Sequence, residues 1–168
     1  MTDNPETDED ESHPYVRGAK VVGNVYGGGL AGNVVGSTQV NIGTVEYTTE
    51  GYEGVSITGN VFGGGEGETT KVTNNVEVNI GTGSTGNATI TGDVYGGSAL
   101  GSVNSSDNAT ATEGATTSVT LNKGTITGSV YGGGLGERNG VSGGTKDVVS
   151  NVYGEVTVTV NDGTVSKM

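Results

Sequence analysis

The chain has 168 residues, among them 34 glycines, two prolines and no cysteine, and its formal net charge is −12. The lack of cysteine excludes a disulfide framework and zinc sites of the Cys type, and the acidic balance argues against a basic nucleic-acid-binding patch. Collagen is excluded because the glycines have no three-residue period, and no apolar run approaches the ~20 residues of a membrane helix.

The first segment, residues 1–18, is strongly acidic. Like charges in one short block repel each other and cannot be buried together, so this segment is predicted to be a disordered tail or linker. Residues 19–168 are predicted to form a single repeat domain. The acidic residues of the tail are Asp3, Glu6, Asp8, Glu9, Asp10 and Glu11.

A first repeated element, called block A, begins with the motif GNVYGGG at Gly23–Gly29. Its four copies read VVGNVY, ITGNVF, ITGDVY and ITGSVY, and their aromatic residues are spaced by 36, 33 and 36 positions. Such self-similarity is typical of a repeat architecture. The aromatic residues are Tyr26, Phe62, Tyr95 and Tyr131.

A second element, block B, follows each copy of block A. Apolar residues or Thr alternate with polar residues along every copy, which is typical of a β-strand with one buried face. Val40, Val78, Val119 and Val158 occupy one column of the alignment. The copies are Val34–Ile42, Val72–Ile80, Gly114–Leu121 and Val152–Val160.

Two all-β architectures fit this alternation. In a parallel β-helix or β-solenoid of about four coils, each A–B pair forms one coil and loops of variable length project outward. An antiparallel β-sandwich would also alternate the two blocks. Matching columns favour the solenoid, because in-register stacking brings like side chains together at ~4.8 Å.

The glycine triplets are interpreted as corners of the coils. Glycine accepts positive φ and lets backbones approach closely. A phosphate-binding loop would need a helix after the glycines, and the segments that follow lack a helical period. Calcium-binding repeats would need regularly placed aspartates, which are missing. No cofactor and no metal are therefore expected.

Strict alternation predicts that the block A aromatic residues face outward beside a column of polar residues. Aromatic rings stack on sugars and amides bond hydroxyl groups, so a glycan is a candidate ligand of this surface. The alternative is structural: the loop from A to B folds over the rings, or the glycine bend turns them inward. The candidate ligand-binding residues are Tyr26, Phe62, Tyr95, Tyr131, Asn24, Asn60 and Asp93.

No catalytic residue is predicted, and the chain is not expected to be an enzyme. The single histidine, His13, lies in the acidic tail, so Ser–His and Cys–His nucleophilic sites are absent. A glycosidase would need two carboxyl groups at a fixed separation. Most acidic residues of the repeat domain lie in loops, and Asp93 is an isolated exception.

The recurring unit G-N-V-Y-G-G-G … V-N-I-G-T resembles the glycine-rich solenoid repeats of large bacterial surface proteins, including adhesin-like proteins of gut anaerobes and, more distantly, autotransporter passenger domains. The resemblance covers about residues 19–165. It implies a rigid, non-enzymatic structural or adhesive module at the cell surface or outside the cell. A carbohydrate-binding surface along the aromatic ladder is the alternative function.

The final residues, NDGTVSKM, stand where a fifth block A would begin. We therefore expect residues 19–168 to be an excerpt of a longer array. Open strand edges at the ends of such an array are expected to cause end-to-end self-association. A glycan or another surface partner is compatible with this interpretation, whereas a nucleic-acid partner and a membrane span are not expected.

Overall fold

A computed structural model describes residues 18–44, 54–82 and 87–167, and the described residues form strands and turns without any helix. The predicted tail of residues 1–18 lies outside these ranges except for its last residue. The strands are β1 (Lys20–Val21), β2 (Val25–Tyr26), β3 (Thr38–Ile42), β4 (Val55–Ile57), β5 (Val61–Phe62), β6 (Lys71–Val72), β7 (Val76–Ile80), β8 (Ala88–Ile90), β9 (Val94–Tyr95), β10 (Ser102–Val103), β11 (Thr116–Leu121), β12 (Thr125–Ile126), β13 (Val130–Tyr131), β14 (Glu155–Val160) and β15 (Thr164–Val165).

Every pairing between these strands is parallel, and each strand pairs with its equivalent in the next repeat. The sheets have the orders β1-β4-β8-β12-β15, β2-β5-β9-β13, β3-β7-β11-β14 and β6-β10. Val61 lies beside Val94 in register. The fold is thus a parallel β-solenoid of about four coils, as predicted, and the antiparallel sandwich is wrong.

Block B forms the longest strands and supplies much of the core. Val40 pairs with Val78, and Val78 pairs with Val119, so the predicted column is confirmed. These valines belong to the largest buried cluster, together with Ile57 and Val61. Alternation over five or six residues identified this face correctly in β3, β7 and β11, because each strand is long enough to keep its parity. In the edge strand β14 the prediction of burial is wrong, and Val158 is 44% exposed.

Block A forms two short strands where a single alternating strand was predicted. In the second coil, β4 ends at Ile57 and β5 begins at Val61, with a bend between them. A further short side lies at or just before the start of block B, where β6 pairs with β10 and Val34 bridges to Val72. Each coil therefore has more sides than the two sequence blocks suggest.

The glycine corners follow β2, β5, β9 and β13, as predicted, with three glycines in each except Gly96, Gly97 and Ser98 after β9. Close packing explains them better than positive φ. A Cβ atom on Gly63 would overlap the carbonyl oxygen of Gly96 and the side chain of Val76. Positive φ angles occur instead after block B, at Gly43 (62°) and Gly81 (71°). The corner needs glycine because neighbouring coils leave no room for a side chain.

The strand β15 lies on β12, with Thr164 beside Thr125 and Val165 beside Ile126. The segment NDGTV therefore adopts the position of the first strand of a fifth coil. Among the described residues, no helix has the length and apolar character that a membrane span requires.

Candidate functional site

The four block A aromatic residues form one continuous stack of rings along the solenoid. The ring centroids of Tyr26 and Phe62 are 5.0 Å apart, and the next two steps, to Tyr95 and Tyr131, are 4.9 Å each. The interplanar angles are 7°, 7° and 15°. The column that the sequence predicted is confirmed, and its spacing equals the separation of paired strands.

The stack is covered over most of its length, so for its two central rings the expected exposure is wrong and the structural alternative, in which a loop folds over the rings, is correct. Phe62 is 1% exposed and Tyr95 is 7% exposed, whereas Tyr131 at the end of the stack is 46% exposed. Val61 belongs to the main core and Phe62 to a separate cluster with Ala99. Alternation thus separates the two side chains as expected, but the segment after the glycine corner covers the rings.

The polar column beside the rings connects the coils. The side-chain Oδ1 atom of Asn24 accepts a hydrogen bond of 2.8 Å from the backbone N–H of Asn60. Asn60 Oδ1 accepts in the same way from Asp93 N–H, and Asp93 Oδ1 accepts from Ser129 N–H, both at 2.8 Å. These side-chain oxygen atoms therefore accept hydrogen bonds that join successive coils.

The phenol groups of the stack are tied to the same column. Asn24 Nδ2 donates to the Tyr26 hydroxyl at 2.9 Å, and the Tyr95 hydroxyl donates to Asp93 Oδ2 at 3.2 Å. Burial, reinforced by the Asp93 carboxylate, raises the pKa of Tyr95 to about 12. Burial also raises the pKa of Tyr26, an effect that the Asn24 hydrogen bond opposes and the Glu66 carboxylate supports.

A hairpin in the fourth coil, residues 136–148, extends toward the earlier coils and is called the strap. Glu137 and Val148 form its antiparallel bridge. Lys146 of the strap forms an ion pair with Glu68 of the second coil. The Glu137 carboxylate accepts hydrogen bonds from the N–H groups of Thr145 and Lys146, which lower the pKa of Glu137.

Between the strap and the edge of the ring stack lies a cleft of about 700 Å³. It brings together four of the predicted ligand-binding residues, namely Asn24, Tyr26, Asn60 and Phe62. The other three, Asp93, Tyr95 and Tyr131, do not line it. The predicted set is therefore divided between this cleft and the remainder of the stack.

Sequence reasoning missed the rest of the lining, which comes from loops. Glu66, Leu100, Leu135, Arg138 and Val141 line the cleft. A weak signal existed: a leucine follows the glycine triplet in both the first and the fourth copies of block A. Isolated bridges join this position from coil to coil, through Leu30, Glu66, Ala99 and Leu135.

The described ranges contain no group of three or more His, Cys, Asp or Glu side chains arranged to hold a metal ion. The cleft instead combines apolar side chains with one guanidinium and a few oxygen acceptors, which is chemistry suited to binding an uncharged polar molecule.

These features define the class of protein as a parallel β-solenoid with an internal aromatic stack and a strap-covered cleft. In comparisons with known proteins, no family model, no curated protein and no solved structure matches the chain.

Proposed function

We propose that the chain is a non-enzymatic structural or adhesive module of a bacterial surface or secreted protein and acts as a rigid repeat scaffold. The observation that carries this proposal is the continuity of every layer from coil to coil. The ring stack, the hydrogen-bonded polar column and the block B valines all run along the same axis. Such continuity stiffens a solenoid because each coil contacts its neighbours through many matched groups.

The resemblance of the repeats to bacterial surface proteins supports an extracellular or cell-surface location. The lack of cysteine is compatible with that location, since the stacked layers give the chain a means of stabilisation that does not depend on disulfides. Backbone hydrogen bonds join successive coils at the corners as well as in the sheets, for example from Gly63 N–H to Tyr95 O at 2.9 Å.

The scaffold proposal is tested by adding a coil. A variant in which residues 55–87 are duplicated in tandem should remain folded, because the inserted coil offers the same columns as its neighbours. Small-angle scattering should show a particle longer by ~4.8 Å. As a matched control, an insertion of equal length made of Gly and Ser should lower the melting temperature. Unfolding of the duplicated variant would contradict the scaffold proposal.

Carbohydrate binding is a second candidate function, and the cleft beside Tyr26 is the observation that favours it. The cleft has a volume typical of small-molecule sites and a mixed lining of apolar and polar groups. A glycan array probed with the intact chain tests this candidate, and the scaffold proposal does not depend on the result.

We also propose end-to-end self-association through the fourth coil. Val156, Val158 and Val160 of β14 are 44–53% exposed, whereas Val76, Val78 and Ile80 in the same columns are buried. An exposed strand edge with apolar side chains favours pairing with another chain.

A further inference from the structure

The ring faces of the stack are already occupied, which changes where a sugar can bind. At centroid separations of 4.9–5.0 Å, each central ring is in contact with a ring on both sides. Stacking of a sugar needs a free ring face. Phe62 and Tyr95 therefore offer only their edges, and the ladder itself is not a platform for a row of sugars.

The cleft supplies an apolar wall of a different kind. Leu100, Leu135 and Val141 line it together with the edges of Tyr26 and Phe62. Leu135 and Val141 are 37% and 54% exposed. The apolar C–H face of a sugar would cover these side chains and remove them from water.

The polar groups of the cleft are suited to hydroxyl groups. The guanidinium of Arg138 forms no ion pair with a described residue, so its N–H donors remain available. The carboxylate of Glu66 provides an acceptor beside the Tyr26 hydroxyl, and after burial it is a further cause of the raised pKa of Tyr26. The Glu137 carboxylate already accepts hydrogen bonds from the N–H groups of Thr145 and Lys146 within the strap.

The negative charge of the cleft and of the whole chain favours neutral sugars over acidic ones. The cleft contains one arginine and two glutamates, and the whole chain carries a net charge of −12. An acidic sugar would be repelled by the surrounding field, whereas a neutral sugar would not.

We propose that the cleft between the strap and the ring stack binds a neutral oligosaccharide, with Arg138 and Glu66 bonding its hydroxyl groups and Leu100, Leu135 and Val141 contacting its apolar face. This inference rests on the carbohydrate-binding candidate function and gives it a site and a ligand class. It moves the binding site from the ring stack to loop residues of three coils.

The test is titration calorimetry of the full chain with cellohexaose, maltohexaose, mannohexaose and galactohexaose, and with a galacturonate hexamer as the acidic probe. For the neutral sugar that binds, Arg138→Gln should weaken binding about tenfold or more, because it removes a charged hydrogen-bond donor. Lys167→Gln is the matched control, since it removes the same charge from an exposed residue in the segment after β15. Tyr131→Ala should also leave binding unchanged, because Tyr131 does not line the cleft.

Each other outcome overturns a defined part of the inference. Unchanged binding in Arg138→Gln, or loss of binding in Tyr131→Ala, would exclude the cleft as the site while leaving carbohydrate binding in place. Tighter binding of the galacturonate hexamer than of every neutral sugar would exclude the proposed ligand class. Binding of no sugar at all would overturn both this inference and the carbohydrate-binding candidate, but not the scaffold.

Discussion

In the first three copies of block A, the first glycine of the corner lies where one coil presses against the next coil. Gly63 contacts the backbone of Gly96 and the side chain of Val76 so closely that a Cβ atom has no room. Gly133, in the fourth copy, has nothing within 4 Å of the position where a Cβ would stand, and its φ is not in the left-handed region. The second glycine is enclosed in the first three copies, at Gly28, Gly64 and Gly97, so among these four positions only Gly133 tolerates a side chain.

Gly63→Ala should accordingly destabilise the protein by about 2 kcal/mol or more, because the new methyl group must displace backbone. Gly133→Ala should be neutral or stabilising by up to about 1 kcal/mol, since it lowers only the entropy of the unfolded chain. Urea denaturation of the two variants measures the difference. Equal losses in both variants would show that the corner is not controlled by packing.

Phe62 is the most deeply buried ring of the stack, and its removal should leave a cavity between two tyrosines. Phe62→Ala is expected to reduce the free energy of unfolding by about 3–5 kcal/mol. Phe62→Tyr is the control and should cost less than about 1.5 kcal/mol, because tyrosine occupies this column in the other coils. Thermal denaturation followed by circular dichroism distinguishes the two variants.

The raised pKa of Tyr95 predicts a loss of stability in alkali. Tyrosine ionises near pH 10 in the unfolded chain but at about 12 in the folded one. Between these values the folded state holds a proton that the unfolded state has released, so the free energy of unfolding falls as the pH rises. Below about pH 9 this group contributes no pH dependence.

Tyr95→Phe should remove this part of the alkaline loss, and its denaturation curve should change less than that of the parent protein between about pH 9 and pH 11.5. Identical alkaline slopes for the two proteins would mean that Tyr95 is not a source of the dependence.

Among the structural elements, the bends within block A are joined by the polar column, and Asn60 in the bend between β4 and β5 binds Asp93 in the bend between β8 and β9. Asn60→Ala should cost about 1–3 kcal/mol, because the N–H group of Asp93 loses its acceptor. Asp93→Asn should change stability by less than about 0.5 kcal/mol, since an amide keeps the acceptor oxygen, as Asn60 and Asn24 do. Amide hydrogen exchange at residue 93 should accelerate in the first variant only.

The burial of side chains could be predicted from the sequence for block B but not for block A, whose strands are interrupted by this bend. Block B could be read correctly because its strands keep one parity over five or six residues, from Val76 to Ile80 for example. Block A strands have two or three residues, and the cover over Phe62 comes from Ala99, a loop residue of the next coil. Alternation gave the side on which the ring lies, but tertiary packing decided its burial.

The sequence contains no alternating or repeated pattern that predicts the strap or its cleft. Arg138 and Val141 belong to the longest spacer between blocks, which has no counterpart of equal length in the other coils. Their position depends on the antiparallel bridge between Glu137 and Val148 and on the ion pair with Glu68, both of which are contacts formed only in the folded chain. Loops of variable length carry little periodic information, so such contacts cannot be deduced from alignment of the repeats.

In the molecule as a whole, the two ends of the solenoid differ. Val40 and Ile42 of β3 are buried, whereas the equivalent valines of β14 are about half exposed. Association should therefore depend on β14.

In sedimentation velocity runs at increasing concentration, the parent chain should form larger species. Val158→Lys should suppress them, because a lysine on an edge strand blocks pairing. Val149→Lys introduces the same change at an exposed loop residue and should have no effect. A monomer at every concentration would contradict self-association.

The strap also affects the unfolding of the molecule. In most solenoids the energy is a sum of terms between adjacent coils, so the terminal coil frays independently. The ion pair between Lys146 and Glu68 joins the fourth coil to the second and bypasses the third. Because both side chains are about half exposed, salt screens this link. Fraying of the last coil should thus become more independent as ionic strength rises, and the salt concentration would set the cooperativity of melting.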